Sequence, residues 1–557
     1  MERSHAVMML LIMIAALALR LGVVAAIPSF FGSGDPSVYY GAARGCLRYG
    51  VPQVDFIWQF ATSPPAIAHL EDYIEPAFAY LLALPMVVMG GGIVAAKLLS
   101  VICGTLAVLL VYLLSRRFGD PVAILAAALV AFEPWSIYYS GLIMKEAAVS
   151  VIVLLFFAAA CRLLAAAHNR RSVGFRFGLL TVAAGCFQYE LLPILASATA
   201  GALWIHQRRL VWPYVAGTAA AGLVLLAITW GLMGVPISAK LYYFTGRDFW
   251  DPLPTATSPD WARLVLKFLP VKFAVSGLAG WYPVLLVLAL LGTRNARVHR
   301  AESTLLAAFG LSYLYFHAVP GNLWPRFLIP ATAVFASYAA LGIAAIHGWL
   351  TRAWSPAVAG ALLAFALVAP RAYTLAARLV PGATAASHWA AAAIVVAGVA
   401  LPAVALYAAR NRVAVARVRP LLPALLVIAV ALNYHASLSW PAIYGNPQMP
   451  GYERIRAQRE RVCRQIRGII AGEPVMATAP GEVSLYAGAP SVLLPDSPLG
   501  IRAVQARYRT PYLLARAGVL RPGVIEHVPV EPVLEVEDYT LYQFIAEGRP
   551  ARTSPAQ

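Results

Sequence analysis

Apolar runs recur from residue 6 to about residue 440 and then stop. Each is near the length of about 20 helical residues needed to cross roughly 30 Å of hydrocarbon. The runs are 6–27, 93–115, 119–138, 145–166, 173–188, 190–206, 211–233, 270–292, 303–319, 326–348, 356–371, 387–408 and 421–440. They predict about thirteen transmembrane helices, a count open by about two because 173–188 and 356–371 are short enough to be half-spans. Beyond residue 440 the pattern changes to short strand-like runs bounded by Pro and Gly. These are 474–478, 490–496, RYRTPYLLA and VEDYTLYQF, with GEVSLYAG as a helix or turn between the first two. An Arg-rich helix over 453–467 precedes them, its charges expected to lie against the membrane surface or the transmembrane region. The fold class is therefore an all-α polytopic membrane protein with a small C-terminal α/β domain. The domains are expected at 1–440, with long loops 28–92 and 234–269, and at 441–557.

Composition agrees with the pattern, since 61% of the residues are hydrophobic and only 12% charged. The net charge of +18 would suit a nucleic-acid binder, but it is spread over many short loops instead of one folded basic face. That spread gives an orientation. Arg116 and Arg117, Arg162 to Arg176, Arg208 and Arg209, Arg294 to Arg300 and Arg410 to Arg419 fall in alternate loops, which the positive-inside rule makes cytoplasmic. The acid-bearing loops 28–92 and 234–269 then face outward, as does the tail, and the N-terminus is cytoplasmic. Arg20 lies within helical reach of the outer interface, so its side chain is expected to snorkel there. The five cysteines show no metal-ligand spacing, and only Cys46 and Cys463 would face an oxidising compartment.

The candidate chemistry sits beside the spans. Asp35, in GDPSVYYGAARGCLRYG, follows the first span and heads a helix with a face of small residues. It reads either as a helix cap before Pro36 or as a catalytic acid or base at the membrane surface. Glu146 opens the fourth span after Lys145, as a site acid or one half of an interface charge pair. Glu75 before Pro76 is a helix-start acid or a substrate contact. Tyr39, Tyr40 and Tyr73 are sugar-stacking rings or part of an aromatic belt. Arg326, at the start of a late span, is a cation suited to phosphate oxygens. The tail has no catalytic motif, and truncation after Tyr444 is expected to leave some turnover.

The order of four blocks resembles the GT-C superfamily of membrane glycosyltransferases, in the branch of the dolichyl-phosphate-mannose protein mannosyltransferases and the lipid A aminoarabinose transferases. The blocks are Asp35 with its Tyr and Ala42-Ala43, then DYIEPAFAYLLALP leading into a juxtamembrane helix, then KLLSVICGTLAVLLVYLLSRRFGD with AFEPWSIYYSGLIMKEA ending at Glu146, and PRFLIPATAVFASYAALG. Pro36 stands where a second acid is frequent, and Glu75-Pro76 where many members have His-Pro-Pro. The resemblance implies transfer of a sugar from a polyprenyl-phosphate donor to a lipid, glycan or protein acceptor on the outer side of a bacterial plasma membrane. Asp35 would be the base, Glu146 its partner, and Lys145 or Arg326 the cation for the departing phosphate. The residues demand no cofactor and no metal is assigned. The DxD pattern is absent, although one Asp and one Glu completed by waters would hold a divalent ion. A secondary transporter and a non-catalytic glycan-export partner are the alternative classes, but no halved symmetry supports the first.

Overall fold

The structure, a computed structural model, describes residues 3–27, 35–60, 64–71, 75–165, 171–233, 282–295, 297–318, 325–353, 448–518 and 524–545. In chain order the elements begin with α1 (Arg3–Ala26), α2 (Asp35–Tyr49), β1 (Gln53–Val54), β2 (Phe56–Ile57), β3 (His69–Leu70), α3 (Pro76–Val88) and α4 (Ile93–Ser115). Next come α5 (Asp120–Ala131), α6 (Pro134–Ser140), α7 (Glu146–Ala165), α8 (Arg171–Gly185), α9 (Leu191–His206) and α10 (Arg208–Met233). Then follow α11 (Tyr282–Gly292), α12 (Arg300–Ala318), α13 (Pro325–Ala353) and α14 (Gln448–Ile470). The chain closes with β4 (Val475–Ala477), α15 (Pro480–Ala487), β5 (Ser491–Leu493), α16 (Pro498–Tyr508), β6 (Tyr512–Arg516), β7 (Val530–Val536) and β8 (Tyr539–Phe544). They form two compact units.

The first unit is a bundle of α1, α4 from Lys97 onward, α5 to α9, most of α10, and α11 to α13. Five of the described helices are long and apolar enough to cross a membrane: Ser4–Ala26, Ile93–Phe118, Glu146–Ala165, Arg208–Gly231 and Leu328–Ile346. The protein is a multi-pass membrane protein. The run 119–138 is divided, because Glu133 and Pro134 end α5 and begin the short helix α6. The expected spans at 356–371, 387–408 and 421–440 lie outside the described residues.

Small residues set the closest helix contacts, as expected where apolar burial alone does not favour one helix over lipid. A Cβ on Gly292 of α11 would sit 2.0 Å from the Tyr338 carbonyl, and one on Gly342 of α13 would sit 2.0 Å from that of Leu288. Gly178 and Gly217 make the same reciprocal approach between α8 and α10. At one end of the bundle the Arg117 guanidinium donates to Glu302 Oε2 at 3.2 Å, and the Tyr338 hydroxyl donates to the same carboxylate. Asp120 there lies 3.6 Å from Arg116 and 3.5 Å from His5. Loop arginines read from the sequence only as orientation signals thus also tie helix ends together.

The second unit joins α2, β1 to β3 and α3 to the tail from Gly451 onward. Its six-stranded sheet has the order β2-β5-β4-β6-β8-β7, parallel from β2 to β6 and antiparallel beyond. Both faces of the parallel part are covered, as such strands require. Met476, Val492 and Leu513 pack with Ile501 and Val504 of α16. Their neighbours Val475, Ala477 and Leu514 point the other way, onto Val462 and Ile466 of α14 and Val483 of α15. The loop after α1 therefore shares a sheet with the tail, where the sequence reading placed the loop with residues 1–440.

Two of the α14 arginines are held by partners inside this unit. Arg459 reaches Glu482 at 2.9 Å and the Tyr539 hydroxyl at 3.3 Å, and Arg461 reaches Glu537 at 2.8 Å, all within this unit. All five cysteines are free, and burial pushes the thiols of Cys46 and Cys463 up to about 11 and about 12.

Candidate functional site

The bundle unit gathers one group of predicted residues around α6 and the helix starts that follow it. Glu133 caps α6, its carboxylate accepting the Ser136 N–H, while Pro134 takes the first helical position. The turn after α6 is fixed by the Ser100 hydroxyl, which donates to the Met144 carbonyl at 2.9 Å. Lys145 and Glu146 follow, 3% and 2% exposed, and α7 begins at Glu146. Arg326, in the first turn of α13, brings its Nε to 3.7 Å from Glu146 Oε1. That is ion-pair range, longer than a hydrogen bond. The carboxylate is stabilised twice, by the guanidinium and by the positive N-terminal end of α7. Two residues far apart in sequence, each singled out separately, meet here.

Two further cations of this unit are buried against helix ends. Arg20 does not snorkel: it is 0% exposed, with NH1 donating to the Ala16 and Ala131 carbonyls at 2.9 and 3.3 Å and NH2 to Ser136 Oγ at 3.1 Å. The physical reason is the end of α5, whose last carbonyls lack helical partners and attract a cation. Lys97, not singled out from the sequence, is 1% exposed and donates to the Ile27 carbonyl just past the end of α1. Its signal was present, since a lysine inside an apolar run is itself a reason to look. Trp135, Tyr138 and Tyr139 of α6 form an aromatic cluster, with the two tyrosine rings 5.0 Å apart.

The second unit holds the other group. Asp35 is the first residue of α2, a place open to a capping acid and to a site acid alike. Tyr39 meets Phe78 edge to face at 5.0 Å, and the Tyr40 hydroxyl donates to the Gly91 carbonyl at 2.6 Å. Burial holds the Tyr40 phenol above its usual range. Both rings thus pack α2 on α3 and the turn after it, leaving 3% and 7% of their surface exposed. Glu75 precedes Pro76 at the start of α3 and is 0% exposed, without a side-chain capping bond to the helix. Tyr73 lies outside the described residues. Among the described residues no three His, Cys, Asp or Glu side chains gather into a metal-binding group.

A helical membrane bundle together with an α/β unit is the architecture against which the comparisons are read. Residues 75–230 match the family model of the dolichyl-phosphate-mannose-protein mannosyltransferases. The fold is similar to that of ArnT from Cupriavidus metallidurans bound to undecaprenyl phosphate, at 12% identity and a TM-score of 0.57, covering 97% of this chain and 98% of that one. It is also similar to the oligosaccharyltransferase of Archaeoglobus fulgidus, at 13% identity and a TM-score of 0.51, covering 92% of this chain and 70% of that one. No curated protein matches the chain by sequence. The family match over residues 75–230 and the likeness in fold both support the GT-C superfamily.

Proposed function

We propose that the protein transfers a sugar from a polyprenyl-phosphate donor to a hydroxyl of an extracytoplasmic lipid, glycan or protein, with inversion at the anomeric carbon. The observation that carries the reading is the Glu146–Arg326 pair, a carboxylate 3% exposed holding a guanidinium 22% exposed at the start of α13. Asp35, the acid at the start of α2, is the base in this reading. The family match and the likeness to a protein bound to undecaprenyl phosphate support the donor class.

In this reading the acceptor oxygen attacks the anomeric carbon opposite the phosphate while its proton passes to the Asp35 carboxylate. The bond from the anomeric carbon to the phosphate oxygen breaks, and its electron pair leaves on polyprenyl phosphate. The leaving group needs charge stabilisation, which a guanidinium supplies with paired N–H donors and Lys145 supplies as a point charge. Glu146 fixes the guanidinium. A single base and a single cation are sufficient, so no metal is required by the residues present. Glu75, Tyr39, Tyr40 and Tyr73 complete the proposed substrate contacts. The membrane is the bacterial plasma membrane, with the N-terminus inside and the second unit outside.

The test is to supply the purified protein with radiolabelled polyprenyl-phosphate sugars and candidate acceptors. Consumption of one donor, with release of polyprenyl phosphate and an inverted product, supports the reading. A product that retains the anomeric configuration contradicts the mechanism, and export of an intact sugar without bond cleavage would return the transporter reading.

A further inference from the structure

The first turn of α2, which carries Asp35, is seated on the tail of the chain. Both belong to the second unit. β2 adds to the edge of the tail sheet, Phe56 opposite Ser491 and Ile57 opposite Val492, and the Ser491 N–H donates to the Asp55 carbonyl at 3.2 Å. From that strand the Phe56 ring, 3% exposed, wedges between two glycines. A Cβ on Gly41 of α2 would lie 2.8 Å from it, and one on Gly481 of α15 would lie 3.4 Å away. Above the ring α15 and α2 touch directly. A Cβ on Gly481 would stand 2.6 Å from Ser37 Oγ and 2.9 Å from Ser37 Cβ.

We propose that the turn Ala479-Pro480-Gly481 is a positioning element for Asp35, with Gly481 the residue that sets where the first turn of α2 rests. Ser37 lies in the same helical turn as Asp35, two residues on. Its hydroxyl can rotate away from an added methyl group, but its Cβ is fixed by the backbone. Ordinary contact begins at 3.4 Å, so a side chain at position 481 displaces that turn by about half an ångström. A reacting group misplaced by about 1 Å costs on the order of 10²-fold in rate. Pro480 is itself held, since Ser491 Oγ donates to its carbonyl at 2.5 Å, so the displacement falls on α2. The tail, which carries no catalytic motif, would then contribute to catalysis through this seat, and truncation after Tyr444 would abolish transfer instead of sparing some of it.

The inference rests on Asp35 being the base, and its test separates the two. In the full-length protein Gly481→Ala should lower kcat by roughly 10-fold to 100-fold while the donor KM stays within about 2-fold. Adding Ser37→Gly removes both close atoms and should restore most of the loss, scored against Ser37→Gly alone. Ser37→Thr, pressing on the same seat from α2, should lower kcat in the same manner and serves as the test if Gly481→Ala does not fold. A wild-type kcat in Gly481→Ala, or a loss that Ser37→Gly does not rescue, overturns the proposal. If Gly481→Ala is fully active while Asp35→Asn is dead, only the seat is wrong. If Asp35→Asn is fully active, the base is wrong and the seat falls with it.

Discussion

Glu146 and Arg326 show how a charge survives at a membrane helix start. Desolvating either ion alone is costly, and removing one partner of a buried pair costs about 3–5 kcal/mol. Arg326→Ala therefore carries two effects that must be measured separately. Donor binding should weaken by about 1.5–3 kcal/mol, since hydrogen bonds to charged groups are worth that much, with Arg326→Lys recovering only part. Unchanged donor affinity in both variants, in protein whose melting shows it folded, would remove Arg326 from the site. Gly104 offers a structural counterpart. A Cβ there would meet Ser140 Oγ at 2.3 Å and Arg20 Nε at 2.7 Å, so Gly104→Ala should destabilise the bundle by about 1–3 kcal/mol, read by thermal unfolding in detergent. The residue type and position of Glu146, Arg326 and Glu75 were legible in the sequence. That Glu146 and Arg326 meet was not, because nothing local relates the start of α7 to the start of α13.

At the scale of elements, hydrophobic length located helices well and failed where a polar interruption mattered. α4 runs from Ile93 to Ser115 as the apolar run predicts, and α7 starts at Glu146 within a residue of expectation. The division of 119–138 into α5 and α6 turns on one Glu-Pro pair inside an apolar run. In the tail, β4, β5, β6 and β8 fall in their predicted runs. β7 was missed because Pro532 reads as a strand breaker. It is tolerated on this edge strand, next to a register shift between Pro532 and Leu534. β2 was missed because a two-residue strand has no periodicity to detect, and its partner β5 lies far along the chain. Phe56 is its main anchor. Phe56→Ala should cost about 3–5 kcal/mol by emptying the wedge between α2 and α15, and limited proteolysis of the second unit should report it. An unchanged cleavage pattern and melting curve would show that backbone pairing alone holds β2.

For the whole molecule, the alternation of arginine loops with acidic loops predicts an orientation that reporter fusions decide. A reporter after residue 440 should behave as extracytoplasmic and one at about residue 298 as cytoplasmic. The reverse pattern would put Asp35 on the wrong side for an extracytoplasmic acceptor. The membrane class was legible because composition and span spacing agree, and the order of four blocks carried the GT-C resemblance that the family match and the fold likeness support. The union of loop 28–92 with the tail was hidden, since it depends on a parallel strand pair that only the folded chain brings together. The measurement closest to the central claim is sugar transfer by Asp35→Asn in membranes supplied with a polyprenyl-phosphate sugar that the wild type consumes. Asn caps a helix about as well as Asp but does not accept the proton, so transfer should fall by roughly 10²–10⁴-fold with donor binding retained. Full transfer by Asp35→Asn would contradict the account and leave Asp35 as the cap of α2.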